Sequence, residues 1–257
     1  MEYIFISIVT LLGAGLTLFS GFGLGTLLMP VFGLFFPIDI AIALTAIVHF
    51  SNNLIKLGFF HKHIDWKIII KFGIPSIVAA FIGAFLLTKL TYLKPLIVYT
   101  FIGKELAVTP VKITIATLLI FFSLMELIPK LSNLQFDKRY MPIGGLLSGF
   151  FGGLSGNQGA LRAAFLIRAG LTKEVFIGTG VVVACLVDIT RLSIYSKTIF
   201  LHIDISQIII LVIAVVSAFI GVYFGNKLVK KITIKALQII VAVMLLLFSV
   251  LLGFGII

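Results

Sequence analysis

The sequence predicts an all-α polytopic membrane protein. It reads as two tandem repeats of about four hydrophobic segments each, with the first segment of each repeat broken or re-entrant. Three observations carry that expectation. Hydrophobic residues make up 61% of the 257-residue chain and charged residues only 11%, against roughly 25% charged in a soluble domain. Charge-free stretches such as 140–161, 205–226 and 236–257 exceed the ~20 residues that a helix needs to cross a bilayer. Short strings also recur in order at near-constant spacing. An outer-membrane barrel would instead show short alternating segments.

The recurrence divides the chain. "HID" occurs at 63–65 and 202–204, and "FIG" at 81–83 and 219–221, each "FIG" followed by a "KL". Gly15, Gly25 and Thr45 fall on Gly149, Gly159 and Thr179, and "FFS" at 121–123 resembles "LFS" at 247–249. The expected units are a first transmembrane repeat over 1–130, a second over 138–257, and a polar linker, "PKLSNLQFDKR", over 129–139. The first half carries an extra stretch near 94–110. No soluble domain is expected.

The apolar segments of the first half run over about 3–36, 38–59, 66–88 and 95–128, and those of the second over about 140–168, 172–196, 205–226 and 234–256. The start, Met1-Glu2-Tyr3, lacks the positive region of a cleaved signal, so the first segment is expected to be retained. That segment is charge-free for 36 residues, 3–38. A straight helix of that length would reach ~54 Å against a hydrocarbon core of ~30 Å. Its middle, "SGFGLGT" at 20–26, holds three glycines, each costing a helix ~1 kcal/mol relative to Ala. The reading is an unwound stretch near 21–25, matched in the second half by "SGNQG" at 155–159. Irregular backbone at membrane depth survives only where protein or water satisfies it, and paired breaks in two halves point to a transport site. Gly23 and Gly25 are therefore site candidates, with Asn157 and Gln158, since helix packing alone does not require an amide pair.

The second segment of each half carries a polar stripe. His49, Asn52, Asn53 and Lys56 share a helix face, as do Asp188, Arg191 and Tyr195. Both halves thus place a cation one turn after an Asn or Asp. Charges at this depth cost ~2.5–3.5 kcal/mol on insertion scales and face the bundle interior. Arg162 follows Gly159 by three residues and opens the half-helix after the break, where free N–H groups and a partial positive charge suit an anion. The cations Lys56, Arg162 and Arg191 outnumber Asp188, which predicts an anionic solute and argues against a metal ion that would want oxygen ligands. Thr45 and Thr179 complete the substrate-binding candidates. His49 and Asp188 are the proton-coupling candidates, with H+ as the coupling ion.

Other features exclude classes. The net charge of +11 comes from scattered Lys and Arg, so nucleic acid is not expected as a partner. Cys185, the sole cysteine, rules out an intrachain disulfide and a thiolate metal cage. No hydrolase or nucleotide-binding motif occurs, and neither cofactor nor metal is expected. The loop "HKHIDWK" at 61–67 reads as a solvated turn with Trp66 at the interface, Arg168 as an interfacial anchor and Glu126 as interfacial. With eight crossings and both termini outside, the inner loops would hold ten Lys and Arg and the outer loops six. Three activities fit this reading: a secondary transporter, an anion channel, and a membrane-embedded enzyme using His49 or Arg162 on a lipid-borne substrate.

Taken together, the Gly-rich breaks ("SGFGLGT", "SGNQGA"), the Thr-bearing segments ("ALTA", "GTGV") and the basic turn with "HIDW" resemble the sulfite exporter TauE/SafE family of membrane permeases over nearly the whole chain. The resemblance implies an α-helical permease of about eight spans in the bacterial inner membrane. It would carry small anions such as sulfite, organosulfonates and related carboxylates. One departure stands out. Many members have a glycine run at the second break, whereas this chain has Asn157 and Gln158, which suits a larger or more polar substrate.

Overall fold

The computed structural model describes residues 2–17, 24–228 and 234–257. The first half holds α1 (Glu2–Leu16), α2 (Leu24–Gly33) and α3 (Ile38–Phe60). It continues with α4 (Trp66–Ile68), which runs through a π-helical turn (Ile69–Gly73) into α5 (Ile74–Thr91), then strands β1 (Ile97–Phe101) and β2 (Lys104–Val108), and α6 (Pro110–Leu127). A single turn, α7 (Pro129–Ser132), lies in the linker. The second half holds α8 (Met141–Ser155), α9 (Gly159–Leu166), α10 (Lys173–Tyr195), α11 (Ile205–Leu228) and α12 (Ile234–Gly253). Helix starts carry the signals that free backbone N–H groups require. Asp65 accepts from Lys67 N at 2.9 Å and Ile68 N at 3.1 Å, and Thr109 accepts from Lys112 N at 3.3 Å with Pro110 opening the helix. Thr172 caps α10 through Val175 N at 3.4 Å.

Each half opens with a helical hairpin that enters the bilayer and turns back. In the first, the Phe5 and Phe35 rings lie 6.2 Å apart, so the start of α1 meets the end of α2. At the other end a Cβ on Gly13 would meet Leu24 and Leu27. In the second, Gly144 near the start of α8 faces Phe165 near the end of α9, and Ser148 Oγ donates to Gln158 O at 3.2 Å. α1, with 15 residues, is ~22 Å long and shorter than the ~30 Å core. In the second half the break falls where the chain reverses, between α8 and α9. α8 ends at Gly156, whose φ of +82° lies in the left-handed region that glycine tolerates.

Of the described helices, α3, α4–α5, α6, α10 and α11 have the length and apolarity to span. One end of the bundle gathers the Phe5–Phe35 contact, the β-hairpin and the chain's last residues, where Tyr99 Oη donates to Phe254 O at 2.6 Å. The other gathers the 61–65 loop against the start of α10, and the 129–140 linker against Arg168, whose Nε donates to Gln135 Oε1 at 3.2 Å. If the first segment of each half turns back without crossing, each half has an odd number of crossings and the inner–outer charge count above no longer applies.

The main helix contacts are reciprocal: α5 packs on α8, α1 on α11, α3 on α10, and α6 on α12. The α5–α8 contact is the closest. Gly145, Gly149 and Gly153 form a stripe at every fourth residue of α8, and a Cβ on any of them would run into the carbonyls of Phe72, Ser76 and Ala80 respectively. Small residues let backbones touch in this way where lipid supplies no hydrophobic drive between helices.

The apolar segment over 95–128, with its extra stretch near 94–110, is two structures. Its first part is an antiparallel hairpin pairing Ile97 with Val108 and Phe101 with Lys104. "IVYTF" is rich in β-branched and aromatic residues. The turn, Ile102-Gly103, has positive φ at both positions, +51° and +73°, as a two-residue hairpin turn demands.

Candidate functional site

The polar stripes on α3 and α10 meet where those helices pack, and Asp188 is their hub. Its side chain is fully buried. Oδ1 accepts from Arg191 Nε at 3.0 Å and Nη2 at 2.7 Å. Oδ2 lies 2.7 Å from His49 Nδ1 and accepts from Asn53 Nδ2 at 3.4 Å. An ionised carboxylate only accepts, so the 2.7 Å contact places a proton on His49 Nδ1 and leaves Nε2 as the ring's other proton site. The one-turn Asp188–Arg191 pairing was legible from spacing. The His49–Asp188 contact across the halves was not, because no sequence rule says which faces of two distant helices meet.

Arg191 is fully buried and uses two of its three nitrogens on Asp188. Nη1 is aimed at the second hairpin tip, since a Cβ on Gly156 would lie 2.8 Å from it, and it has no partner among the described residues. Tyr195, one turn further on, donates from Oη to Gly153 O at 2.6 Å. In the first half Lys56, also buried, donates from Nζ to Thr17 O at 3.3 Å, just past the end of α1. Both stripe cations thus reach the inner end of a hairpin's first helix, where carbonyls are left without helical partners.

The second tip holds the amide pair at the opening of α9. Asn157 is 4% exposed and Gln158 1%. Asn157 Nδ2 donates to Ser155 Oγ at 3.3 Å, while Asn157 Oδ1 and both side-chain polar atoms of Gln158 have no partner among the described residues. Arg162 sits in the first turns of α9, partly buried, with Nη1 unpartnered and its Nε side against Gly180 of α10. The Thr45 hydroxyl and the Asn52 amide are likewise buried without partners. Such groups are rare in folded proteins, and each costs roughly 1–3 kcal/mol when left unmet. Their concentration at one tip and the adjoining stripe marks a place built to receive a polar ligand or water.

The remaining candidates divide. Gly25 opens α2 against Thr45 and His49, both about 3.5 Å from where its Cβ would be, so the first hairpin touches the stripe there. Gly23 lies outside the described residues, as does most of the first break. Thr179 is placed apart, at the 61–65 loop, where its Oγ1 accepts from Asp65 N at 2.9 Å. Trp66 and Arg168 are exposed at the bundle end, and Cys185 is buried. Glu126, in the last turn of α6, is partly buried and lines a narrow cleft with Thr26 of α2, Asn157, Gly159 and Ala160 of the second tip, Phe122 and Leu245.

Paired helical hairpins inside a crossing bundle, with buried charge at their tips, define a multi-pass membrane transporter. The sequence profile of the sulfite exporter TauE/SafE family matches residues 6–252, and the chain belongs to that family. No curated protein matches the chain. A small anionic solute is the substrate that membership implies, and permeation is its activity.

Proposed function

We propose that the protein is a secondary transporter that moves a small anion such as sulfite, an organosulfonate or a related carboxylate across a bacterial inner membrane. The anion binds between the two hairpin tips. One observation carries the reading: Arg191 Nη1, directed at Gly156, and the Gln158 amide are buried and unpartnered at the second tip, and Arg162 Nη1 is unpartnered in the first turns of α9 that follow it. Three cations, Lys56, Arg162 and Arg191, share the interior with Asp188, so an anion balances charge there and a cation does not. Arg162 and Arg191 offer forked donors to oxyanions, and Asn157 and Gln158 select among them by hydrogen bonding. Thr45, Asn53 and Gly25 form the opposite wall, with Lys56 donating to Thr17 O at the end of α1. Thr179 acts through the 61–65 loop. His49 and Asp188 form the proton-coupling pair, with Nε2 as the site that loads.

The reciprocal pairs α5–α8 and α1–α11 are what two equivalent halves would produce on exchange. With three crossings per half, the repeats 1–130 and 138–257 would be inverted. Among the described residues, the end of the bundle bearing Lys62, Lys67, Lys71, Lys130, Lys138, Arg139, Arg168, Lys173, Lys227 and Lys235 would then face the cytoplasm, against Lys89, Lys94, Lys104, Lys112 and Lys197 opposite. Ten against five follows the positive-inside bias. The test is movement of radiolabelled sulfite and ethanesulfonate through reconstituted vesicles under an imposed proton gradient. Movement of neither overturns the reading.

A further inference from the structure

The β1–β2 hairpin turns apolar side chains outward. Leu96, Ile97, Val98 and Phe101 are exposed, and Ile102 in the turn is 85% exposed. Alternate residues share a face, so the register sets Ile97, Tyr99 and Phe101 beside Val108, Leu106 and Lys104. That face is apolar or aromatic apart from Lys104. Part of it lies on the bundle: Val108 is buried, Tyr99 and Leu106 are half-buried, and Tyr99 Oη donates to Phe254 O at 2.6 Å. A Cβ on Gly255 would run into Ala107 O, so the hairpin is also held against the stretch after α12. Ile97 and Phe101 remain open. The turn itself is strained. Ile102 has a φ of +51°, an outlier for a β-branched residue at a place where Asn or Gly is usual. In water, an exposed isoleucine there gains nothing that offsets the strain.

Depth indicates what covers the patch. α4 and α5 form one helix of 26 residues, Trp66–Thr91, ~39 Å long. That exceeds the ~30 Å hydrocarbon core but not the ~40–45 Å that includes both headgroup layers. Trp66 and Tyr92, both exposed, stand at its two ends, where interfacial aromatic belts lie. α6 returns from Pro110 with 18 residues, ~27 Å. The hairpin is therefore bracketed between the headgroup level where α5 ends and the edge of the core where α6 begins. It goes no deeper, because a two-stranded sheet has an open edge on each strand, and hydrocarbon does not accept open edges. Through Tyr92 and Leu93 the patch continues the exposed surface of Phe81, Ile82 and Phe85 on α5. Lys89, Lys94 and Lys104 flank it, with Glu105 the one acid of the hairpin. Apolar side chains with surrounding lysines are what an interface with anionic headgroups binds.

We propose that the hairpin is an interfacial anchor. It lies in the headgroup layer, Phe101 and Ile102 reach the acyl boundary, and the lysines meet the phosphates. Lipid covers the patch, and a second copy of the chain does not. The anchor fixes the depth of α5 and α6, between which the hairpin is strung. An isoleucine at the turn is then favourable, because its side chain leaves water. Nothing in this depends on which solute the protein carries.

The test reads depth at the turn, in the full chain reconstituted into vesicles of mixed zwitterionic and anionic phospholipid. Trp66 is the only tryptophan, so Trp66→Phe/Ile102→Trp reports from the turn alone. Phospholipid brominated near the top of its acyl chains should quench that emission. Emission that brominated lipid leaves unchanged overturns the proposal. Quenching by aqueous acrylamide would then place the turn in water. Protection from acrylamide would place it under protein, and disulfide cross-linking of Ile102→Cys in a Cys185→Ser background would identify that protein as a second copy. A second variant separates anchoring from turn geometry. With the reporter moved to Phe101→Trp, Ile102→Asn suits the turn's φ and removes the apolar side chain, so quenching by brominated lipid should fall. Quenching that Ile102→Asn leaves unchanged overturns the part assigned to Ile102.

Discussion

Replacing Asp188 by Asn tests what holds the interior charges in place. The side chain keeps its volume and loses its charge, and the amide nitrogen puts a donor where Arg191 or His49 now donates. Asp188 accepts three contacts at 3.0 Å or shorter, two from Arg191 and one from His49, with no exposure to solvent. Arg191 has no other acidic partner among the described residues and is itself fully buried. Removing one member of a buried pair strands the other, at a cost of about 3–5 kcal/mol. The double variant Asp188→Asn/Arg191→Gln strands no charge, so its cost should fall short of the sum of the single costs by roughly 0.5–3 kcal/mol. Denaturant unfolding in micelles, with each variant measured alone and together, gives this coupling. Anion flux in vesicles should fall in Asp188→Asn, because Arg191 Nη1 loses the anchor that aims it at Gly156. A single-variant cost below about 1 kcal/mol, or strictly additive costs, would refute the idea that the carboxylate positions the arginine.

The other predictions address packing, the anion contact, coupling and orientation. Gly149→Leu should destabilise the fold by about 1–3 kcal/mol or more, because its side chain meets the Ser76 backbone, whereas Ala at the open Gly58 should be silent; unfolding midpoints compare them. Arg162→Ala should weaken sulfonate binding roughly 10–150-fold, the loss of one charged hydrogen bond, and Arg162→Lys should fall between it and wild type. His49→Gln should uncouple uphill flux from the proton gradient; unchanged proton-driven flux removes the coupling role. In a Cys185→Ser background, Lys104→Cys should react with an impermeant maleimide on intact cells and Lys62→Cys should not. The reverse pattern would invert the orientation.

The membrane class, the helical content and the position of the second chain reversal were legible because each is a local property: mean hydropathy, glycine content and charge-free length. The polar stripes were legible for the same reason, since helical spacing alone puts Asn53 with Lys56 and Asp188 with Arg191. What failed depended on three-dimensional return. A segment of 36 apolar residues has the same composition whether it crosses once with a kink or folds back, and only the Phe5–Phe35 contact distinguishes the two. The β-hairpin was lost within an apolar run whose turn, Ile102-Gly103, lacks the usual Asn-Gly signal. Thr179, matched to Thr45 by repeat spacing, plays a different part. Its hydroxyl holds the 61–65 loop, while that of Thr45 faces the interior unpartnered.

The two hairpins explain why one chain tolerates so much buried charge. Each first helix ends inside the bilayer, where its last carbonyls have neither helical partner nor bulk water, and unmet carbonyls in hydrocarbon are costly. Neighbouring crossing helices answer this at both ends: Lys56 donates to Thr17 O beyond α1, and Tyr195 donates to Gly153 O in the last turn of α8, with Arg191 lying against Gly156 beyond it. The halves then differ in what stands one turn before that cation. Asn53 is neutral, so Lys56 keeps an uncompensated charge beside the first tip. Asp188 is paired, so Arg191 is fixed rigidly and its spare Nη1 is directed at the second tip, with Gln158 and Arg162 around it. One tip is therefore served by a point charge on a flexible stem, and the other by a preorganised donor set. An anion that is selected by geometry should meet the second first, and Lys56 should contribute attraction without shape. On this argument Lys56→Arg is tolerated and Arg191→Lys is not, although both keep the charge.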